Sequence, residues 1–211
     1  MNYIEVGQLL RKHNIYLFSL EGLVNLFPDE NRKAIKNNLL RWVDKGYILR
    51  LKRDLYEFVD KERGSGVSDL YVANKLYGPS YVSLETALSF YSIIPDIAAN
   101  AMSVTTGPTR SFKNRYGAFF YRTCRKKAFT GYRIITSEGL KVCIADKEKA
   151  LVDYLYYKLR SPLKLVLKEE RFNKDILRKL DWKKALRYAK LFNRRTFETV
   201  KRCKEHIYAK S

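Results

Sequence analysis

An α+β fold in two domains, residues 1–62 and 67–211, is what this sequence predicts, and three observations predict it. The first sixty residues hold three stretches of helical apolar spacing, followed by two short apolar runs around a basic turn. The segment Lys61–Ser68 (KERGSGVS), with two glycines, two serines and no large hydrophobe except Val67, then interrupts the pattern as a linker does. Beyond it, short β-prone runs bounded by glycine and proline alternate with helical segments, and the chain ends in a helical region. The second domain is therefore expected to be mixed α/β.

In the first domain, Ile4, Val6, Leu9 and Leu10 set a short helix ending near His13 and Asn14. Ser19 is placed to cap a second helix, in which Leu20, Leu23, Val24 and Phe27 recur, and Pro28 closes it. The third, ENRKAIKNNLLRWVDK, carries Ile35, Leu39, Trp42 and Val43 on one face, and Gly46 ends it. Trp42 lies on that apolar face, so its ring is expected between the helix and the strands that follow. Tyr47 to Leu49 and Leu55 to Phe58 read as two strands, with Arg50, Lys52 and Arg53 around the turn between them. Three helices and a ribbon in about sixty residues form a winged helix-turn-helix.

In the second domain, Asp69 to Tyr77 reads as a helix with Leu70, Ala73 and Leu76 on one side, broken by Gly78-Pro79. Tyr81-Val82 is extended. Ser83 is placed to cap a helix running through Tyr91, with Leu84, Ala87, Leu88 and Tyr91 facing inward, and Pro95 stops it. Ser103 to Thr106 reads as a strand, Arg110 to Tyr116 as a basic turn, and Ala118 to Thr123 as an aromatic strand. Tyr132 to Thr136 and Lys141 to Ile144 are two further strands around Ser137-Glu138-Gly139. Asp146 to Leu159 is a helix burying Ala150, Leu151, Tyr154 and Leu155, and Asp175 to His206 is helical with breaks near Asp181 and Asn193.

Composition narrows the class. The 211 residues are 46% apolar and 14% aromatic, as a globular chain with a real core should be. No apolar run is long enough to span a bilayer, and the N-terminus lacks the charged-then-apolar pattern of a signal peptide. A cytoplasmic protein without membrane partners is expected. Cys124, Cys143 and Cys203, odd in number and scattered, fit reduced thiols. The net charge of +20 points to a polyanionic partner, and it is unevenly spread: +2 over residues 1–60, +8 over 61–162 and +10 over 163–211.

The residue types that carry catalysis are sparse. Only His13 and His206 are present, one near each end, and no CxxC, GxxxxGK[ST] or GxGxxG motif occurs. Asp146, Glu148 and Asp153, with Lys147 and Lys149 among them, cluster at a helix start. There the acidic groups complement the helix dipole and the lysines read as ordinary surface residues. No catalytic residue, metal ligand or cofactor is expected, and the protein is not expected to be an enzyme.

Four basic residues and no acidic one lie between Asn31 and Arg41. Lys33, Lys36, Asn37 and Arg41 project away from the apolar face and are candidates to enter the major groove of duplex DNA. Asn37 is the best placed to pair bidentately with adenine. Arg32, nearer the edge of that face, suits phosphate, and Arg50, Lys52 and Arg53 suit the DNA backbone or minor groove through the wing. The expected partner is double-stranded operator DNA. Two rivals are a nuclease with a winged-helix head and an RNA-binding module using the tyrosines and the basic tail.

The segment YGPSYVSLETALSFY (Tyr77–Tyr91) with Ile93-Ile94-Pro95, the strand ending Val104-Thr105-Thr106, the aromatic AFFYR and the helix opening IADKEKALVDYLY, which holds Asp153, carry a resemblance. In that order they resemble the AbiEi family of antitoxin transcriptional regulators of type IV toxin-antitoxin systems, over roughly residues 1–160. The resemblance implies a winged helix binding inverted repeats upstream of its own operon. It also implies a C-terminal domain that neutralises a nucleotidyltransferase toxin without a stable complex. The SLETAL block itself reads as helix packing. The last fifty residues match nothing in that family.

Overall fold

The computed structural model describes residues 1–59, 67–162 and 165–209. Most of the expected linker, Lys61 to Gly66, lies outside the described residues. Among the described residues, nine α-helices and two sheets form an α+β fold.

Helix α1 (Tyr3–Lys12) starts in a reciprocal cap: Asn2 Oδ1 accepts from the Glu5 amide at 3.0 Å, and Glu5 Oε2 accepts from the Asn2 amide at 2.9 Å. A two-residue strand, β1 (Leu17–Phe18), precedes α2 (Leu20–Leu26), which Ser19 caps by accepting from the Gly22 amide at 3.0 Å. Helix α3 (Arg32–Asp44) is capped by Asn31, and strands β2 (Ile48–Lys52) and β3 (Leu55–Phe58) follow. The three strands pair antiparallel in the order β1-β3-β2. Val6, Leu10, Leu23, Ile35, Leu39, Trp42, Ile48 and Phe58 make one core. Trp42 is 4% exposed and meets Tyr3 of α1 edge-on, with ring centroids 5.6 Å apart.

The rest of the chain builds a six-stranded sheet in the order β6-β7-β5-β4-β9-β8. Its strands are β4 (Ser80–Val82), β5 (Ala101–Thr105), β6 (Arg110–Asn114), β7 (Gly117–Thr123), β8 (Tyr132–Ser137) and β9 (Leu140–Ala145). The β4–β9 and β5–β7 pairs are parallel and the others antiparallel. Helices α4 (Asp69–Leu76), α5 (Leu84–Phe90) and α6 (Lys147–Lys158) pack with it, and α7 (Lys174–Arg178), α8 (Trp182–Lys190) and α9 (Arg194–Tyr208) close the helical end. Asn173, Asp181 and Asn193 each cap the helix that follows, which puts the breaks near Asp181 and Asn193 where the sequence has them.

Three local readings are corrected. Arg110 to Asn114 is a strand and not a turn: β6 pairs antiparallel with β7 from Arg110↔Tyr121 to Asn114↔Gly117. A charged edge strand with little buried apolar surface carries a loop's composition, because backbone pairing alone holds it. Ser83 stands at the N-cap position of α5 but makes no capping bond, its hydroxyl being committed elsewhere. Lys149 is not a surface residue; it is fully buried.

The larger core also takes in Leu17, Leu51 and Leu55 from the small sheet. Among the described residues no helix is long and apolar enough to cross a membrane.

Candidate nucleic-acid interface

One face of α3 is committed to the core through Ile35, Leu39 and Trp42, and at about 100° per residue this fixes what the opposite face presents. Lys33, Lys36, Asn37 and Arg41 are all exposed there. Leu40, between them, is 48% exposed, an apolar side chain among polar neighbours. Arg41 donates to Asn38 Oδ1 at 2.6 Å, and Arg32, at the edge of the face, is ion-paired with Glu21 of α2. That pairing raises the Arg32 pKa and lowers that of Glu21, chiefly through the hydrogen bond they share. Lys33, Lys36 and Asn37 make no side-chain hydrogen bond or ion pair with another described residue.

The β2–β3 hairpin turns at Arg53 and Asp54. Asp54 adopts a left-handed backbone (φ 59°), which an aspartate tolerates better than most residues, and its carboxylate accepts from the Leu20 amide at 3.0 Å. This bond ties the turn to the start of α2. Arg50 and Arg53 are exposed. Lys52 is placed differently: it is half-buried, with its ammonium 5.5 Å from the Phe112 ring centroid on β6. Burial lowers its pKa, Asp54 opposes that, and Arg110 adds to it. The hairpin is thus two-sided. Ile48, Tyr56 and Phe58 join the first core, while Leu51 and Leu55 join the larger one.

At the base of the hairpin Glu57 is 4% exposed, and its Oε1 accepts a 2.6 Å hydrogen bond from the Tyr116 hydroxyl, which itself accepts from the Val67 amide at 3.3 Å. Burial first, then the Glu57 carboxylate, pushes the Tyr116 pKa up to about 12. Glu57 Oε2 is buried without a partner among the described residues.

The acidic cluster of α6 does not converge on one point. Asp146 caps the helix, and its other oxygen accepts from Lys184 at 2.8 Å and from the Tyr188 hydroxyl at 2.9 Å. Glu148 also accepts from Lys184, at 3.2 Å. Asp153 turns inward, where it is ion-paired with Lys149 and accepts from the hydroxyls of Ser83 at 2.8 Å and Tyr81 at 3.0 Å. Both members of that pair are 0% exposed. Burial pushes the Asp153 carboxyl up against the opposing pull of Lys149 and the two hydroxyls. The same burial, with Asp153 beside it, raises the Tyr81 phenol well above its ordinary range. Among the described residues no group of three histidine, cysteine or acidic side chains could hold a metal ion.

Periodicity and charge alone point to the α3 and hairpin residues. They do not reveal the buried pair on α6, nor a cavity beside that helix. No protein-family model matches this chain, and neither does any curated protein.

Proposed function

We propose that the protein is a DNA-binding transcriptional repressor, with residues 1–62 serving as a winged helix-turn-helix. Helix α3 reads the major groove and the β2–β3 hairpin is the wing. What supports this most is the outward face of α3, where Lys33, Lys36 and Asn37 are exposed and free of partners among the described residues, beside Arg41 and a hairpin bearing exposed Arg50 and Arg53. The +20 net charge supplies the long-range attraction such a reader needs. In this reading Arg32 reaches phosphate by exchanging its exposed ion pair with Glu21, which holds it only weakly. Lys52, held at Phe112, meets the backbone only at the flank of the wing.

The antitoxin part of the reading rests on the resemblance carried by residues 1–160. The protein would act in the cytoplasm on operator repeats of its own operon, and oppose a nucleotidyltransferase toxin without binding it stably. The test is a binding-site selection with the full chain on random duplex DNA. Enrichment of a discrete motif is expected, while an unenriched pool that still binds would reduce the protein to a non-specific polyanion binder. Magnesium-dependent cleavage of the selected duplex would favour a nuclease instead.

A further inference from the structure

A cavity of about 530 Å³ opens beside α6, walled by α5, β5 and β7, within the size range of small-ligand sites. Glu85, Met102, Arg122, Tyr154, Lys158 and Arg160 line it. An adjoining cavity of about 490 Å³ shares Glu85, Met102, Tyr154 and Lys158, so the two form one cleft. None of these residues belongs to the α3 and hairpin face.

Three features of the charge pattern are informative. Arg122 has no side-chain partner among the described residues. Arg160 donates to the Tyr156 hydroxyl at 2.8 Å and lies 5.4 Å from that ring's centroid, with no carboxylate partner among the described residues. Lys158 sits 3.9 Å from Glu170 and is partly balanced. In the first cavity one carboxylate, Glu85, faces these cations; it makes no hydrogen bond or ion pair with a described residue, and its Oε2 is buried and unsatisfied, while the adjoining cavity adds Asp96, Glu169, Glu170 and Arg171. Opposite charges thus line one cavity without neutralising each other. Arg122 and Arg160 are exposed and meet solvent, whereas the buried Glu85 Oε2 takes a donor only from what fills the cavity.

We propose that this cleft binds a mononucleotide, its phosphate on Arg122 and Arg160 and a hydrogen-bond donor of its base or ribose on Glu85. In the first cavity Arg122, Lys158 and Arg160 outnumber the one carboxylate, which suits a dianionic phosphate, and arginine matches phosphate geometry bidentately. Glu85 requires a donor at the other end of the ligand. Met102 offers apolar surface to a base, while the Tyr154 ring, 4% exposed and covered by Lys158 at 5.2 Å, only edges the cavity. Inorganic phosphate would leave Glu85 unanswered. A free amino acid would answer both charges once, yet leave the second arginine unpaired.

The test is calorimetric titration of the full chain at about 0.15 M salt with each nucleoside 5′-monophosphate, adenosine, inorganic phosphate and glutamate. At least one monophosphate is expected to bind one per chain, at least about tenfold more tightly than adenosine or phosphate. Arg122→Ala, an exposed position that should keep its melting curve, should weaken binding by about tenfold or more. Arg160→Ala should do likewise, and Glu85→Gln should change the preference among bases. Lys141→Ala removes an exposed cation on β9 away from the cleft and should change nothing. The proposal is overturned by phosphate binding as tightly as nucleotide, by preference for glutamate, by equal losses in Lys141→Ala, or by no saturable heat. The titration contains no DNA, so its outcome is independent of the DNA-binding reading.

Discussion

Asn37 is the side chain whose replacement should separate reading a sequence from holding a duplex. It stands exposed at the middle of the outward face of α3, flanked by Lys33 and Arg41. Asn37→Ala is expected to cost roughly 1–3 kcal/mol of discrimination between selected and random duplexes. Arg53→Ala, in the hairpin turn, should weaken all duplexes about equally and flatten the salt dependence. Titrations of both variants on both DNAs check this, and unchanged preference in Asn37→Ala would remove the residue from base contact. Trp42 is the structural counterpart: Trp42→Ala should destabilise by about 3–5 kcal/mol, read as a fall in the urea midpoint. Its burial is legible in the sequence, because Ile35, Leu39 and Trp42 repeat at helical spacing. Lys149 is not legible in that way. Helix α6 is buried on nearly every side between the sheet and α8 and α9, and a helix enclosed all round has no polar face by which to sort its lysines. Lys149→Met should cost about 3–5 kcal/mol by leaving the buried Asp153 carboxyl without its cation. The double variant Lys149→Met/Asp153→Leu should recover part of that loss in the same urea titration.

At the scale of elements, the β2–β3 hairpin is the piece the sequence describes best in outline and worst in context. Its strands and basic turn can be read from two short apolar runs around Arg50, Lys52 and Arg53. Its second packing partner cannot, since β6 hides behind a charged composition and only Phe112 signals the contact. Tyr116, at the β6–β7 turn, holds Glu57 by a 2.6 Å bond. Tyr116→Phe keeps the ring and removes the only donor to Glu57 among the described residues. A loss of about 1–3 kcal/mol is expected, as for any buried acceptor deprived of its partner. Since the hairpin belongs to both cores, hydrogen exchange should rise in β3 and β6 together; a rise in β6 alone would show that the two elements are not coupled.

For the whole molecule the decisive quantity is charge. Residues 1–60 carry a net of only +2 and residues 61–211 carry +18. In the proposed function, long-range attraction to DNA would therefore come mainly from outside the helix and hairpin proposed to read it. If about six to eight phosphates are neutralised, log K should fall against log salt with a slope of about −5 to −7. A slope near zero would detach this charge from DNA. The class of fold, the order of nearly all elements and the exposed basic face follow from periodicity, caps and charge. The cleft beside α6 does not, because Glu85, Arg122 and Arg160 are far apart in sequence and are brought together only by the packing of α5 on α6 and β5, the pairing of β5 with β7 and the end of α6.

The buried quartet of Lys149, Asp153, Ser83 and Tyr81 bears on how such a sequence can drift. Losing Lys149 alone strands an anion, losing Asp153 alone strands a cation, and losing both leaves two hydroxyls without their acceptor. Each single step away is downhill in stability even though the fully apolar end point need not be. Descent with modification would then hold these four positions as one inherited character, while the exposed cations around them are free to change one at a time.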